Sequence, residues 1–438
     1  MTKERNGERT GERSGRREPR RRVWSGVPLA ALVVATTALV ARKVVMERAH
    51  PASTSGAFTT TTAGPAGSTS ARWAPTPFAP DASAAGAATT FHGDPQRRHR
   101  ARGTGPRRVS VAFQTNVGGA VGAQVVASPD GATLYAVTLG GQLVALTLGG
   151  EQKWSFTLGD RAYGAPAIAD DGTIFVGSDK RSFFAISPAG RLVYKLDVDG
   201  EADVAPLLLP APSDAQVVFA AGDTVYALRK GGDLSARFRA KRKVYSAPTL
   251  LPDGRIAFGA QDHRLYVLGK GLTPGAAIDL GADVDCAAAV MDDGALVVGT
   301  DGGEVVSVGR AGEILWRTKV SGYVRGGVTV TRSGDVVVGT FGPVPRVVRL
   351  SANGSVLGAF EIQGTGAKDF GIWGSPLEDD AGSLYFGTQD DRVIGLSASG
   401  APIFSYSTQG DVDAPVTMLA DGSLVVGSED GTVTRLLP

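Results

Sequence analysis

The chain has 438 residues and a formal charge of +2, rich in glycine (60) and poor in aromatic side chains (7%). That balance conceals an uneven distribution: residues 1–22 hold nine basic and four acidic side chains, 42–108 ten and three, and 109–438 the remaining 26 and 36. An acidic body excludes a phosphate-binding surface there, and the lone Cys286 excludes an internal disulfide, a cysteine zinc cluster and CxxCH haem attachment.

Residues 1–22 are rich in Arg, Glu and Gly without apolar periodicity, which predicts a disordered basic tail. Val23 to Ala41 then runs without a charge, long enough to cross a hydrocarbon core of about 30 Å. The basic residues ahead of it place the N-terminus in the cytoplasm and the remainder of the chain outside. The alternative is an exported chain cleaved behind this segment, since Arg21-Arg22-Val23-Trp24 loosely resembles a twin-arginine signal. Against cleavage, Arg42-Lys43 stands where small residues are required, so an uncleaved single-pass anchor in the cell membrane is expected. Residues 42–90 read as a flexible linker rich in Ala, Ser, Thr and Pro. The basic run through Arg97, Arg98, Arg100, Arg102, Arg107 and Arg108 reads as a solvated arm against the acidic body.

From residue 109 the chain repeats. Val284 to Val320 divides into CAAAV, ALVVGT, EVVSVG and EILWRTKV, separated by Asp-Gly and Gly-Gly turns. Comparable turns fall at Asp130-Gly131, Asp171-Gly172, Asp253-Gly254, Ser333-Gly334, Ala381-Gly382 and Asp421-Gly422, about 40 residues apart. One longer step hides a degenerate copy around Pro212-Ser213-Asp214. Four strands per copy and eight first strands predict an all-β, eight-bladed propeller. The last copy stops after three strands, and Val111 to Thr115 resembles the missing fourth, so the ring closes through an N-terminal strand and hides its edge.

The stretches VYSAPTLLPDGRIAFGAQDHRLYVLGKG (244–271) and VTLGGQLVALTLGGEQKWSF (137–156) resemble the repeats of pyrroloquinoline-quinone (PQQ) type propellers, across residues 91–438. The resemblance implies fold rather than function, because the shared residues are turn and packing residues. The family contains quinoprotein dehydrogenases, which carry PQQ, calcium, a catalytic Asp and often an adjacent Cys-Cys pair. It also contains non-enzymatic members such as the propeller lipoprotein of the outer-membrane barrel-assembly machinery. This chain has no Cys-Cys pair, no matched calcium-ligand set and no cysteine placed for lipidation. The expectation is therefore no enzyme and no cofactor, with the PQQ-dependent dehydrogenase as the alternative.

His263 reads as a turn residue, and Asp179, Asp262, Asp301, Asp390 and Asp430 as turn aspartates bonding their own backbone. Trp154 and Trp316 read as packing between blades. What varies from copy to copy is the start of each first strand, nearest the central channel: Val121, Tyr163, Asp203, Tyr245, Asp285, Val324, Trp373 and Val412. Core packing does not demand aromatic and acidic side chains there. Tyr163, Asp203, Tyr245, Asp285 and Trp373 are thus the candidate binding residues, their carboxylates favouring a basic or amine-bearing protein or ligand. The reading is a membrane-anchored, extracytoplasmic binding scaffold in the cell envelope, its body monomeric and without a nucleic-acid partner.

Overall fold

The computed structural model describes residues 88–364 and 370–438. The basic tail, the apolar segment 23–41 and all but the last three residues of the 42–90 linker lie outside them. No helix among the described residues is long and apolar enough to cross a membrane.

Eight four-stranded antiparallel sheets make up the body. First strands are short, from Val126–Ala127 in blade 1 through Thr417–Met418 in blade 8. Second and third strands are buried on both faces, as in Leu296–Gly299 and Glu304–Val308, so alternation is lost and apolar runs replace it. Fourth strands alternate, as in Ile314–Lys319, because one face packs on the next blade and the other meets solvent. The Asp-Gly turns work as their chemistry requires: Asp253 Oδ1 accepts from the Arg255 backbone at 3.1 Å, and Gly254 takes a φ of +84°.

Closure is as the truncated last copy implied. Ser110–Asn116 pairs with Thr432–Leu437 as the outermost strand of blade 8, from Ser110 opposite Leu437 to Asn116 opposite Thr432. A second device joins neighbouring blades at the rim. Trp154 and Trp316 lie over Gly190 and Gly354 of the following blade, and their indole N–H groups donate to the carbonyls of Pro188 (3.0 Å) and Ala352 (2.9 Å). Phe113 covers Gly150 in the same way, so the closing strand supplies the clasp between blades 8 and 1.

The basic lead-in is not a solvated arm. Residues 88–103 enter the central channel, where Arg97 and His99 are fully buried and Arg100 nearly so. The inner strand of every blade presents an unpaired edge to the channel, and this segment satisfies it. Ala127 of blade 1 donates to the Ala88 carbonyl, Ile168 to Thr89, Leu250 to Pro95, Val290 to Gln96, Val330 to Arg98 and Glu378 to His99, all at 2.8–3.1 Å. Six blades thus offer the same N–H to one plug. Side chains serve the other two: Arg97 donates to Pro206 O of blade 3 at 2.9 Å, and His99 Nε2 faces Val416 O of blade 8 at 3.2 Å. Cationic side chains belong here because the channel wall is lined with carbonyl oxygens, which only donors can satisfy. Residues 88 and 89, at the end of the stretch read as linker, already bond to blades 1 and 2.

Candidate binding site at the channel mouth

Each first strand starts at one mouth of the channel, and the N–H groups bonded by the plug come five residues further along. At ~3.3 Å per residue that is roughly 17 Å. Backbone bonding sets the register between copies. The amides of Val121, Val244, Val284, Val324, Ile372 and Val412 each donate to the carbonyl at the end of the preceding blade's second strand. The residue after each of these lines the mouth, as does Asp203 after Ala202, whose amide bonds Ser178 O. With Tyr163 at the same distance from the plug-bonded N–H of blade 2, the ring is Gly122, Tyr163, Asp203, Tyr245, Asp285, Arg325, Trp373 and Asp413, one from each blade.

Tyr163, Asp203, Tyr245, Asp285 and Trp373 therefore share one ring. Val121, Val324 and Val412 do not belong to it. All three are fully buried, and the true occupants stand one residue later: blades 1 and 6 have no proline there to set the register, and in blade 8 the Ala414-Pro415 pair sits one residue early. The sequence reading missed Arg325, Asp413 and the gap at Gly122.

The ring is not a simple acidic patch. Each aromatic carries its own cation: Arg161 lies 5.7 Å from the Tyr163 ring centre, Lys243 5.5 Å from that of Tyr245, and Arg325 5.7 Å from that of Trp373. Each cation also meets a carboxylate: Arg161 with Asp179 at 3.1 Å, Lys243 with Glu201 at 2.8 Å, Arg325 with Asp301 at 2.5 Å. Trp373 is held edge-on by Phe341, ring centres 5.3 Å apart. Blades 2 to 6 are thus internally compensated. Blade 8 is not: among the described residues no basic side chain pairs with Asp411, Asp413 or Glu429.

The carboxyls record this imbalance. Burial, with the nearby Asp301 carboxylate, pushes Asp285 up to about 6. Burial and the charges of Asp413 and Asp391 push Asp411 up to about 7. Asp413 and Glu429 share a hydrogen bond and are both raised, first by burial and then by acidic neighbours. Asp179 is raised by burial and by Asp203.

The five recurrent turn aspartates fall into two sets. Asp262, Asp390 and Asp430 stay at the turn, where Asp430 accepts from the Thr432 backbone at 2.8 Å; Asp179 and Asp301 stand one position earlier and reach Arg161 and Arg325 across the mouth. His263 is a turn residue with a φ of +67°, 3.4 Å from Asp283.

The floor of the mouth is the plug. His92 and His99 stack with ring centres 4.3 Å apart, and Ser375 bridges them at 2.9 Å from each. Phe91 stacks on His92 and packs with Ala165, Ala205, Ala247 and Ala287, one small residue from each of four consecutive blades. The repeated alanine before the strand proline therefore makes room for the plug. Burial holds His99 at about 4 and His92 well below its ordinary value, so both imidazoles are neutral. Neither was included among the site residues from sequence, which read the lead-in as solvated.

Residues 99–250, from the plug to the first strand of blade 4, match the family model described as outer membrane protein assembly factor BamB. Among solved structures the chain is similar to BamB from Moraxella catarrhalis, with a TM-score of 0.61 and 18% identity over 75% of this chain and 98% of that one. The body is an eight-bladed β-propeller, similar to PQQ-type propellers over the matched stretch. A second PQQ-like neighbour is quinohemoprotein alcohol dehydrogenase from Comamonas testosteroni, with a TM-score of 0.66 and 11% identity over 81% of each chain. The computationally designed protein Ika8 is similar too, with a TM-score of 0.57 and 16% identity over 74% of this chain and 99% of that one. At these identities the likeness is one of fold. No curated protein matches the sequence.

A PQQ-like propeller raises the question of a quinone at this mouth, and the residues do not fit one. PQQ is an acidic quinone that needs a cation on its carboxylates, whereas this mouth carries three aspartates, and its Arg161, Lys243 and Arg325 are already paired with carboxylates. Cys286 is fully buried, its thiol pushed up to about 12 by burial. Among the described residues no three His, Cys, Asp or Glu side chains are grouped to hold a metal ion.

Proposed function

We propose that this PQQ-like propeller is a membrane-anchored, extracytoplasmic scaffold that binds a protein partner in cell-envelope assembly through its channel mouth. One observation carries the reading: a ring with one residue per blade, set on a uniform body, in which Tyr163, Tyr245, Trp373, Arg325 and three aspartates replace any common packing residue. Tyr, Trp and Arg are the side chains enriched where interfaces concentrate their binding energy. The family model over residues 99–250 supports an assembly role, and the apolar segment 23–41 with its basic flank supports the anchor. The body acts by binding rather than by catalysis.

Partner recovery from crosslinked cell envelopes tests this. The paired change Tyr245→Ala and Trp373→Ala leaves the blades intact and is expected to lower recovery by ~10-fold or more, equivalent to about 1.4 kcal/mol. Undiminished recovery by this variant rejects the mouth as the site. A reporter active only outside the cytoplasm, fused after Pro438, is expected to be active, with residues 1–48 retained in the mature chain. A soluble form beginning near His50 rejects the anchor.

A further inference from the structure

The mouth contains one constellation twice. Between blades 5 and 6, Gln261 Nε2 donates to Asp285 at 3.3 Å, the Asp301 backbone donates to the Asp283 carbonyl at 3.0 Å, and the Asp301 carboxylate takes the Arg325 guanidinium at 2.5–3.1 Å. Between blades 8 and 1, Gln389 Nε2 donates to Asp413 at 2.8 Å and the Glu429 backbone donates to the Asp411 carbonyl at 2.9 Å. Gln, the mouth Asp, the upstream Asp and the second-strand acid recur at matching register, and among the described residues only the cation has no counterpart. Where blade 6 carries Arg325, blade 1 carries Gly122, and a Cβ built there meets no atom within 4 Å.

We infer that the notch at Gly122 is a receptor for the guanidinium or ammonium group of an Arg or Lys side chain on a partner polypeptide, which takes the place Arg325 fills in blade 6. This rests on the proposal that the partner docks at the mouth. Three features favour the cation of a polypeptide. The acids are set as in a site that already holds a guanidinium; they lack a basic partner among the described residues; and in the ring order the notch is followed by Tyr163 of blade 2, as Arg325 is followed by Trp373. Gly122 is one missing side chain in the ring, so the site takes one side chain rather than an extended ligand.

The test uses the full-length chain and two probes, a fluorescein-labelled hexa-arginine peptide read by anisotropy and free spermidine as competitor. The peptide is expected to bind, more weakly as salt rises, and Gly122→Arg is expected to reduce affinity at least 10-fold by supplying the cation internally. The same change is expected to leave the melting temperature unchanged or raised, because the space is open and the pairing is the one seen at Asp301. Glu429→Gln, which fills no space, is expected to weaken the peptide similarly. Peptide binding unaltered by both changes overturns the inference, as does absence of peptide binding to the unmodified chain, or binding of spermidine alone. The two proposals fail separately. Partner capture kept by Gly122→Arg but lost by the Tyr245 and Trp373 pair rejects the notch alone, whereas capture kept by all variants rejects the mouth.

Discussion

Arg97→Met is the sharpest probe of the plug. The guanidinium is fully buried and makes four hydrogen bonds, to Pro248 O (3.1 Å), Thr90 Oγ1 (2.9 Å), Phe91 O (2.7 Å) and Pro206 O (2.9 Å). Bonds of this charge-assisted kind contribute about 1.5–3 kcal/mol each. Against them stands desolvation: burial pulls this guanidinium down to about 10, so part of what the four bonds contribute is offset. Methionine fills much of the volume but leaves four carbonyl or hydroxyl acceptors without a donor. The expected loss is about 3–5 kcal/mol, the range for breaking a buried charged network. At about 2 °C per kcal/mol for a large domain, the melting temperature falls by roughly 6–10 °C. Calorimetry of the purified full-length chain measures it. Arg98→Met is the internal control: its side chain is less buried, making one bond to Val290 O (3.0 Å) and a loose 3.6 Å ion pair with Asp292. The control is expected to lose about 1 kcal/mol. A drop under about 2 °C for Arg97→Met, or equal drops for the two variants, refutes the keystone role of Arg97.

Deleting residues 107–118 removes the outer strand of blade 8 and is expected to unfold or oligomerise the body; a monomeric deletion with unchanged melting refutes closure. Gly354→Ala places a methyl group 2.6 Å from the Trp316 ring at a φ of +85°, so a loss of about 2–4 kcal/mol in urea unfolding is expected, and a neutral result rejects the rim clasp. The mouth acids, and Glu378 buried beside the plug, are raised above their unfolded values, so folding takes up protons as pH falls through the folded pKa of about 7 for Asp411 and Glu378. Stability is therefore expected to increase from pH 8 to about 6.5, less so in Asp413→Asn. Below about 6.5 the neutral His92 and His99 act the other way, because the unfolded chain binds protons that the buried imidazoles refuse. A melting temperature flat between pH 8 and 6.5 in the unmodified protein contradicts the burial of these groups.

Strand count, blade number and closure were all legible in the sequence because they rest on local turn chemistry repeated many times. The Asp-Gly turns, the Trp at a fixed place and the short last copy each carry a physical requirement that holds copy by copy. The mouth was legible where the strand-start spacing is kept; near Val324 the proline is absent and near Val412 the Ala414-Pro415 pair comes one residue early, and a slip of one residue exchanges a buried valine for Arg325 or Asp413. The plug escaped because its partners are backbone groups. A row of carbonyls has no signature in side-chain pattern, so an arginine bound to it looks like an arginine in water. The one available signal was the recurrent small residue at 165, 205, 247 and 287, whose uniformity implied something packed against it.

The join in blade 8 has a consequence for how the molecule comes into being. Gln114 on the closing strand bonds Thr432, 318 positions away, and the plug likewise meets Val416 near the far end of the chain. A chain delivered N-terminus first therefore presents its oldest strand long before that strand has anything to pair with. Seven blades can form as hairpins while the polypeptide emerges, but the ring stays an open arc, its two raw edges available to any extended segment nearby, until the last turn of sequence arrives. Completion is an end-game event: the slow step of maturation is the meeting of the two termini, and a holdase that covers the waiting strand acts at the point of greatest exposure.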